Sequence, residues 1–499
     1  MVAALAATAR HGTRLECGRV RAPSRSLVRR ISAAPKRLRI ISASTWDLGG
    51  GAERIARGMH EAYMAAGEDS WLAVGTKLGD DPHTVELPNR ERRNLWARVW
   101  MGAADSLPQR GAAFHVARAL RNVVAEPARL ASKQSGREDF DFPGTSDLMN
   151  VGGGAPDALH LHNLHGGYFD LRALPEFSAR VPTILSLHDA WMLSGHCSHS
   201  FDCGRWETGC GNCPALWIYP AVPRDATAFN WQRKREMYSR SRLHIGVPCE
   251  WLADRVRRSM LMPAVRELRV IPFGVDLTVF RPAEKAAVRA ELGLDPSRPV
   301  VLVSANALRA HTWKDSATFR GALERLGAAA AGAQWIALGE SGPDVHVGAV
   351  RLRRVPLEAD DRKLTRWYQA SDMYVHPARA DTFPLMVLEA LACGTPVIGT
   401  DIGGVAEQIV SASFIAGARD EAGGDAATGA AVAPGDPVAL ALAIESMIAL
   451  EPAARAAFAA NAARSAQARF DRRRHERTYL DWIRELVAER AKGGGMQPR

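Results

Sequence analysis

Two cations in the second half of the chain follow directly on an apolar run that is typical of a buried strand. Arg309 and Lys314 come after residues 300–304 and stand five residues apart. In open α/β sheets, ligands bind beyond the carboxyl ends of the strands, so both side chains are expected near a ligand. Arginine offers a planar fork and lysine a point charge, and such a pair suits a diphosphate. The alternative is a solvated pair, because surface pairs of this kind are common.

A second segment combines two carboxylates with the start of a helix. Asp381 and Glu389 lie eight residues apart, on either side of a turn that contains Phe383, Pro384 and Leu385. The first backbone N–H groups of a helix have no partner inside the helix, so this turn predicts a site for phosphate oxygens. Two other roles stay open: Asp381 as the N-cap of the helix, and Glu389 as part of its solvated face.

The first half of the chain contributes a glycine turn and two strand ends that carry histidines. The glycines at 49–51 stand between an apolar strand and a helix, which is the opening of an α/β unit. His188 follows the predicted strand at 183–187, and it either contacts a ligand or is satisfied by neighbouring backbone groups. The second strand end follows residues 158–161 and carries His162, Asn163 and His165.

Apolar runs alternate with helical patterns along most of the chain. In a first series, strands are predicted at 38–41, 71–74, 158–161, 183–187, 243–247 and 269–271. In a second series, they are predicted at 300–304, 335–338, 351–355, 373–375 and 397–398. The Ala/Gly-rich stretch at 416–435 is typical of a loop. The predicted fold class is therefore α/β, with two Rossmann-like domains that face a cleft.

Composition places the domain boundaries. Residues 1–36 are rich in arginine and poor in acids, and we expect a disordered leader, with a transit peptide as the alternative. An N-terminal domain is expected at 37–275, with an insert at 80–150 and a cysteine loop at 196–214. A C-terminal domain follows at 276–470, and residues 471–499 are predicted to form a charged helix and a tail.

The overall composition excludes several classes of protein. Of the 499 residues, 47% are hydrophobic and 24% are charged, as in an ordinary soluble globular protein. No stretch offers the ~20 apolar residues of a membrane span, so we expect a cytoplasmic protein. The net charge of +10 indicates an anionic partner: a phosphate ligand, a membrane surface or a nucleic acid.

Residues 89–101 are basic and aromatic, and Leu95, Trp96, Val99 and Trp100 can share one helical face. Such a helix lies on anionic lipid, at the inner face of the membrane, or packs its aromatic face on its own domain. Both interpretations stay open.

Four of the seven cysteines lie within one short loop. Cys197, Cys203, Cys210 and Cys213 match the ligand number of a tetrahedral structural zinc, and the last two have knuckle spacing. The alternatives are two disulfides, which a cytoplasmic protein disfavours, and a reduced, packed loop.

These segments together resemble the family 4 glycosyltransferases, which are retaining enzymes of GT-B fold. The specific signs in the second half are the carboxylate segment with its continuation Ala-x-x-Cys-Gly-Thr-Pro-Val, the Arg309/Lys314 pair, and residues 271–276 (IPFGVD). The first half resembles a bacterial subgroup of colanic acid and exopolysaccharide transferases. There the matching segments are residues 160–167, 187–191, the cysteine loop and residues 248–252. The resemblance spans about residues 37–470, apart from the insert.

The resemblance implies a role for each site residue. Glu389 would hold the ribose of a nucleotide sugar, Arg309 and Lys314 would neutralise its diphosphate, and Asp381 would hold the donor sugar. His188 would touch that sugar near its reacting face. The remaining implied contacts are Phe383, Pro384 and Leu385 with Gly49, Gly50 and Gly51 on the donor side, and His162, Asn163 and His165 on the acceptor side. The family usually has Glu at 381, Gly at 384 and Asn at 273, where this chain has Asp, Pro and Phe; we therefore assign Phe273 no ligand contact.

The implied activity is that of a hexosyltransferase-type enzyme, which moves a sugar with retention from a nucleotide sugar to a saccharide or lipid-linked acceptor. Such an enzyme works in bacterial polysaccharide biosynthesis and needs no metal or other cofactor for catalysis, because cations and helix amides stabilise the leaving diphosphate. We expect no nucleic-acid partner. The rival functions are a sugar-nucleotide epimerase of the same fold and a basic protein that binds nucleic acid or membrane without catalysis.

Overall fold

The computed structural model describes residues 37–108, 110–308, 312–415, 418–420 and 426–493. The expected leader at 1–36 and Arg309 therefore lie outside the described residues. The strands are β1 (Arg39–Trp46), β2 (Asp69–Thr76), β3 (Thr84–Glu86), β4 (Ala158–Leu161), β5 (Thr183–Ser186), β6 (Leu243–Val247), β7 (Val265–Val270), β8 (Val300–Ser304), β9 (Gln334–Leu338), β10 (Val345–Val347), β11 (Val350–Val355), β12 (Met373–His376), β13 (Val397–Thr400), β14 (Ser413–Ile415), β15 (Ala418–Asp420) and β16 (Gly429–Val432).

Helices cover both faces of the sheets and connect most of the strands. They are α1 (Gly51–Ala65), α2 (Leu95–Asp105), α3 (Gly111–Ala119), α4 (Pro127–Gln134), α5 (Leu174–Arg180), α6 (Thr227–Ser239), α7 (Glu250–Arg258), α8 (Lys285–Glu291), α9 (Ser316–Leu323), α10 (Ala328–Ala331), α11 (Asp361–Ala370), α12 (Leu385–Ala392), α13 (Val405–Gln408), α14 (Pro437–Ile448), α15 (Pro452–Arg469) and α16 (Arg472–Gly493).

The first sheet has seven parallel strands in the order β3-β2-β1-β4-β5-β6-β7. Its central strands are apolar on both faces, since Ile40, Ile41 and Leu159 have no exposed surface. That pattern is typical of a parallel sheet with helices on both sides. The strand order reverses between β1 and β4, so the ligand-binding crevice of this sheet lies beyond the carboxyl ends of those two strands.

The second sheet repeats this architecture. Its order is β10-β11-β9-β8-β12-β13-β16, and among its strands only the edge strand β10 runs antiparallel to its neighbour. The order reverses between β8 and β12, which places a second crevice at their carboxyl ends. Two doubly wound sheets confirm the predicted α/β class.

The sequence located the central strands of both sheets, although β1 extends to Trp46, beyond its predicted end at residue 41, and the edge strands β3 and β10 were not predicted. One prediction needs correction. The stretch at 416–435 is not a loop throughout, because β16 pairs with β13 inside it. The sequence did not indicate this strand, because glycine and alanine have low strand propensity. Glycine is nevertheless required at position 429, because a Cβ there would lie 1.8 Å from the Val397 carbonyl oxygen. The insert at 80–150 is largely helical and contains α2, α3 and α4.

The chain passes between the sheets twice, and the two passages lie side by side. Val275 N–H donates to the Phe470 carbonyl at 2.8 Å, and Arg472 N–H donates to the Val275 carbonyl at 3.1 Å. A Cβ at Gly274 would lie 2.3 Å from the Arg472 Cα, so this close approach requires glycine.

After the second passage, α16 packs on the first sheet. The Ser186 hydroxyl donates to the Tyr479 hydroxyl at 2.9 Å, and the Trp482 indole donates to Glu267 at 2.7 Å. Tyr479 and Trp482 are almost completely buried. The C-terminal helix, predicted at 471–492, therefore contributes core residues to the N-terminal half.

The insert leaves apolar side chains in solvent. Within α2, Ala97 and Ala104 are buried, while Leu95, Trp96 and Val99 are 73%, 58% and 57% exposed. The Trp96 indole nevertheless donates to the Val124 carbonyl at 2.9 Å, so lipid contact and packing on the domain both stay open as predictions. Within the described ranges, no single helix is long and apolar enough to cross a bilayer; α14 and α15 pass such a test only as a pair bent by 110°.

Candidate active site

The crevices of the two sheets share one cavity of about 510 Å³. The N-terminal half contributes Gly51, Arg54, His188 and other residues to its wall. The residues from the C-terminal half are Trp313, Lys314, His376, Ala380, Asp381, Thr382, Phe383, Pro384, Leu385, Met386 and Glu389. Predicted contacts from both halves therefore meet in one place.

Two helix starts open into this cavity. α1 begins at Gly51 and α12 at Leu385, and neither N-cap residue, Gly50 or Pro384, offers a side-chain hydrogen bond. A Cβ at Gly51 would lie 3.7 Å from Leu385 Cδ1, so the two starts are in near contact across the cleft. Unsatisfied N–H groups at two helix N-termini form a strong site for an anion.

Glu389 lies in the second turn of α12 and is 2% exposed. The Tyr368 hydroxyl donates to Oε2 at 3.0 Å, and the Arg54 guanidinium donates to Oε1 at 3.0 Å. Arg54 also pairs with Asp361 at 3.2 Å. Burial raises the pKa of Glu389, and the Arg54 guanidinium counteracts this increase. The glutamate is therefore part of the cavity wall and not of a solvated helix face.

Lys314 and Asp381 form an ion pair in the wall of the cavity. Their Nζ and Oδ2 atoms are 3.0 Å apart, and His376 Nε2 lies 3.2 Å from the same oxygen. Burial would raise the pKa of Asp381, but Lys314 and His376 hold it well below its ordinary value. Asp381 is therefore ionised, and it fixes the ammonium group of Lys314 at the cavity wall. It does not cap a helix, because α12 begins after Pro384.

His188 faces the cavity from the end of β5. Its Nε2 lies 3.0 Å from Nδ1 of His162, and its ring stacks on Phe273 at 5.1 Å. Burial lowers the pKa of His188 to about 3, so the ring is neutral near pH 7. One ring nitrogen is thus held by His162, which fixes the ring orientation and leaves Nδ1 for a ligand.

The cavity contains most of the predicted site residues but not all of them. Gly49 and Gly50 precede α1 without lining the cavity, and His162 lies behind His188. Asn163 lines neither of the two main cavities; its carbonyl accepts from the Thr45 hydroxyl at 3.2 Å. His165 lies between this cavity and a second one on the N-terminal half.

Several wall residues were not predicted. Arg54 had no signal, since nothing in the sequence distinguishes it from Arg57, the other arginine of α1. Trp313 precedes Lys314, and His199 lies within the cysteine loop, but neither was predicted as a site residue. Phe273, to which no ligand contact was assigned from the sequence, also lines the cavity, and its ring stacks on that of His188.

The cysteine loop does not have the geometry of a zinc site in this structure. All four cysteines are unpaired thiols, and among the described residues no group of three or more His, Cys, Asp or Glu side chains is arranged to hold a metal ion. Burial raises the pKa of Cys197 to about 12 and that of Cys210 to about 11, which favours the thiols. Zinc binding by this loop stays a prediction, and the free thiols are those of the reduced, packed loop that was its alternative.

Two family descriptions match the chain in succession. Residues 49–279 match Glycosyltransferase Family 4, and residues 354–465 match Glycosyl transferases group 1. The first match begins after β1 and covers the other strands of the N-terminal sheet, and the second covers the carboxylate segment and helices that follow it.

Individual proteins agree with these matches. The colanic acid biosynthesis glycosyl transferase WcaC of Escherichia coli (strain K12) is 30% identical over 257 residues, which are 49% of this chain and 60% of that relative. The chain thus spans less than two thirds of that relative's length. Sucrose-phosphate synthase of Thermosynechococcus elongatus has a similar fold, with a TM-score of 0.55, 19% identity, and coverage of 91% of this chain and 100% of that one. HepE of Anabaena, solved in complex with UDP-glucose, gives a TM-score of 0.53 at 16% identity and covers 90% of this chain and 100% of its own.

Proposed function

Because this chain belongs to the family 4 glycosyltransferases of GT-B fold, we propose that it transfers a hexosyl group from a nucleotide sugar to a saccharide or lipid-linked acceptor, with retention, in polysaccharide biosynthesis. The observation that carries the proposal is the meeting of two uncapped helix starts in one cavity with Lys314 and Glu389. The helix starts and Lys314 suit a diphosphate, and a buried carboxylate suits the paired hydroxyls of a ribose. UDP-glucose, the ligand of HepE, has this chemistry.

The same groups are placed to stabilise the leaving diphosphate. As the anomeric bond breaks, negative charge develops on the diphosphate, and the N–H groups of α1 and α12 together with the Lys314 ammonium are fixed in position to stabilise it. Asp381 is held in an ion pair with Lys314, so it positions this cation and is not a free nucleophile. Retention is therefore expected to proceed by attack of the acceptor hydroxyl on the face of the sugar that the diphosphate leaves.

His188 takes the position next to the reacting sugar. It is neutral near pH 7, so its Nδ1 makes an uncharged hydrogen bond to a sugar hydroxyl. Asp189, the next residue, lies in the same cavity wall and is held by His165 at 2.8 Å. His188 and Asp189 belong to the N-terminal side of the cavity wall, and we expect the acceptor to approach from that side.

The exposed face of the insert supports a location at a membrane surface. Leu95, Trp96 and Val99 of α2 and Val116 of α3 project into solvent, and Arg98 and Arg118 are exposed on the same helices. Apolar and aromatic side chains combined with arginines are typical of helices that lie on anionic lipid. We therefore include peripheral contact with an anionic membrane in the proposal, and a lipid-linked acceptor fits that location.

The experiment is a donor screen on the purified chain. UDP-, GDP-, ADP- and dTDP-sugars are tested for thermal shift and for release of nucleoside diphosphate with saccharide acceptors. One nucleotide class is expected to raise the melting temperature and to give a glycosylated product with the donor's anomeric configuration. Glu389→Ala is expected to lose the shift, and Lys363→Ala, an exposed cation on α11, serves as the matched control.

Two results would contradict the proposal. If none of the four nucleotide classes raises the melting temperature, the proposed donor site is wrong. Conversion of the nucleotide sugar to its epimer without any transfer would replace the transferase with an epimerase of the same fold.

A further inference from the structure

A second cavity of about 530 Å³ lies on the N-terminal half, next to the proposed donor site. Tyr219 belongs to the walls of both cavities. His165, in the wall of the second cavity, lies 2.8 Å through its Nε2 from Asp189 in the wall of the first. Tyr219 and the His165–Asp189 pair therefore lie between a molecule in the second cavity and the donor site.

The wall of the second cavity has an apolar side. Phe142, Phe169 and Trp191 are each at most 5% exposed and provide this side. The ring of His165 contacts those of Trp191 and Tyr219 edge-on, at 5.5 Å and 5.4 Å. Apolar and aromatic walls with a few polar groups are typical of small-molecule sites, and they suit the C–H face of a sugar ring.

A polar group in this wall lacks a partner. His165 is 9% exposed, and within the described parts of the chain its Nδ1 is a buried ring nitrogen with no hydrogen-bond partner. Because Nε2–H donates to the Asp189 carboxylate, Nδ1 carries a lone pair and can accept a hydrogen bond. A buried polar atom without a partner is costly, and a hydroxyl group of a ligand would satisfy it.

The charges of the wall leave an excess of cations. The two acidic residues of the wall each form an ion pair with a cation outside the wall. Glu138 pairs with Lys234 at 2.9 Å, and Asp139 pairs with Arg129 at 2.7 Å. The exposed cations of the wall are Lys133 and Arg137. Lys133 Nζ lies 3.8 Å from Asp139, and the Arg137 guanidinium lies 4.6 Å from the Phe229 ring. Neither cation is neutralised by a carboxylate of its own.

We propose that the second cavity binds the acceptor and selects a saccharide that carries an anionic group, which Lys133 and Arg137 bind. The inference rests on the proposed function, since it names the acceptor class of that transferase. The anionic group is a carboxylate of an acidic sugar or a phosphate ester. Its sugar ring packs on the aromatic side, and one hydroxyl donates to His165 Nδ1, beside the donor site.

The test compares D-glucuronate, glucose 1-phosphate and glucose as probes, with dissociation constants measured by saturation-transfer NMR on the full chain. We expect at least one anionic probe to bind about tenfold more tightly than glucose, because charge-assisted contacts are the stronger ones. The Lys133→Ala/Arg137→Ala variant should lose that preference. Arg180→Ala/Arg240→Ala removes two exposed cations from α5 and from the end of α6, and it should keep the preference.

The two anionic probes distinguish the sources of charge: preference for glucuronate indicates an acidic sugar, and preference for glucose 1-phosphate indicates a phosphate ester. Equal affinity for all three probes, or the same loss in both double variants, would overturn the inference. The nucleotide screen tests the donor site separately. If nucleotides stabilise the chain while the probes bind alike, the acceptor inference alone fails; if the anionic preference is found without nucleotide binding, the transferase proposal fails and the acidic-saccharide site stands.

Discussion

Arg54 Nη1 lies 3.0 Å from Glu389 Oε1, and this ion pair joins the first turn of α1 to the second turn of α12 across the cleft. The carboxylate proposed to bind ribose is thus paired with a cation of the other half. The ion pair helps to keep a buried glutamate ionised. It also links the two halves of the chain at the proposed donor site, so a change in the distance between the halves would change the position of Glu389.

We expect Arg54→Gln to shift the pH dependence of donor affinity. Burial raises the pKa of Glu389, and the Arg54 guanidinium lowers it again, so its removal raises this pKa further. A protonated glutamate binds ribose hydroxyls less well, so the acidic limit of donor affinity should move to higher pH. Calorimetric donor binding as a function of pH measures it. Arg57→Gln, also on α1 but paired with Glu61, is the control, and equal profiles for both variants would contradict the prediction.

Lys314→Ala should lower kcat/KM by about 10²–10³, which corresponds to ~3–4 kcal/mol of lost stabilisation of the developing diphosphate charge. The variant also leaves Asp381 without its cation, so the pKa of that carboxyl should rise toward its ordinary value. Steady-state transfer kinetics and a melting curve separate the two effects. A folded variant with turnover near that of the wild type would show that Lys314 is not at the leaving group.

His162→Phe tests whether the histidine behind the cavity positions the one in front. The change removes the partner of His188 Nε2 while it keeps a ring of similar size, so His188 should lose its fixed orientation. We expect kcat to fall by about tenfold with a smaller change in donor KM, because the affected contact matters most in the transition state. His188→Ala should lower kcat further. If His162→Phe changes only the melting temperature, His162 is structural.

Acid should destabilise this fold through its buried neutral histidines. Burial lowers the pKa of His160 and His188 to about 3 and that of His475 to about 4, while the unfolded chain binds protons below about pH 6.5. The unfolded state therefore gains protons that the native state does not, and stability falls as the pH drops from about 6.5 toward 4, by up to ~1.4 kcal/mol per histidine and pH unit.

The matching variant is His475→Gln, whose amide can still donate to the Pro272 carbonyl as His475 Nδ1 does. Urea unfolding between about pH 7 and pH 5 should show a slope smaller by about one proton than that of the wild type. His115→Gln removes an exposed histidine on α3 and is the control. An unchanged slope in His475→Gln would mean that this residue takes up a proton in the native state.

Trp96→Ser should weaken binding to anionic vesicles. Trp96 is 58% exposed on the insert, and burial of an aromatic side chain in the lipid interface should contribute to binding along with the arginines. Co-sedimentation with phosphatidylserine vesicles should decrease in this variant and with added salt. Trp217→Ser removes an equally exposed tryptophan, at 59%, near the cysteine loop. An equal loss of vesicle binding in both variants, or no vesicle binding by the wild type, would contradict the proposed contact of this face with lipid.

The sequence predicted the parts of this molecule that depend on local pattern. Runs such as residues 300–303 are apolar over their whole length, so their role as central strands follows from composition alone. Lys314, Asp381 and Glu389 follow such runs, and the rule that ligands bind beyond strand ends was enough to bring them together. β16 was missed because alanine and glycine carry little β signal, although its place next to β13 requires glycine.

The sequence could not predict pairings that depend on how the two halves pack. Arg54 and Glu389 are 335 residues apart, and no motif surrounds Arg54. The stacking of Phe273 on His188 arises where the chain leaves the first sheet, so residue type alone could not predict it. The second cavity forms where three segments meet: α4 of the insert, the turn at His165 and residues 219–223. No pattern within any of these segments predicts that it lies next to the other two.

The return of α16 to the first sheet has a consequence for engineering. Tyr479, Trp482 and Ile483 complete the hydrophobic core of the N-terminal half, although they are encoded after the whole C-terminal half. A chimera that exchanges acceptor specificity with a relative must therefore transplant residues 38–274 together with residues 472–493. A single crossover near residue 275 would give a hybrid whose first sheet is covered by a foreign helix.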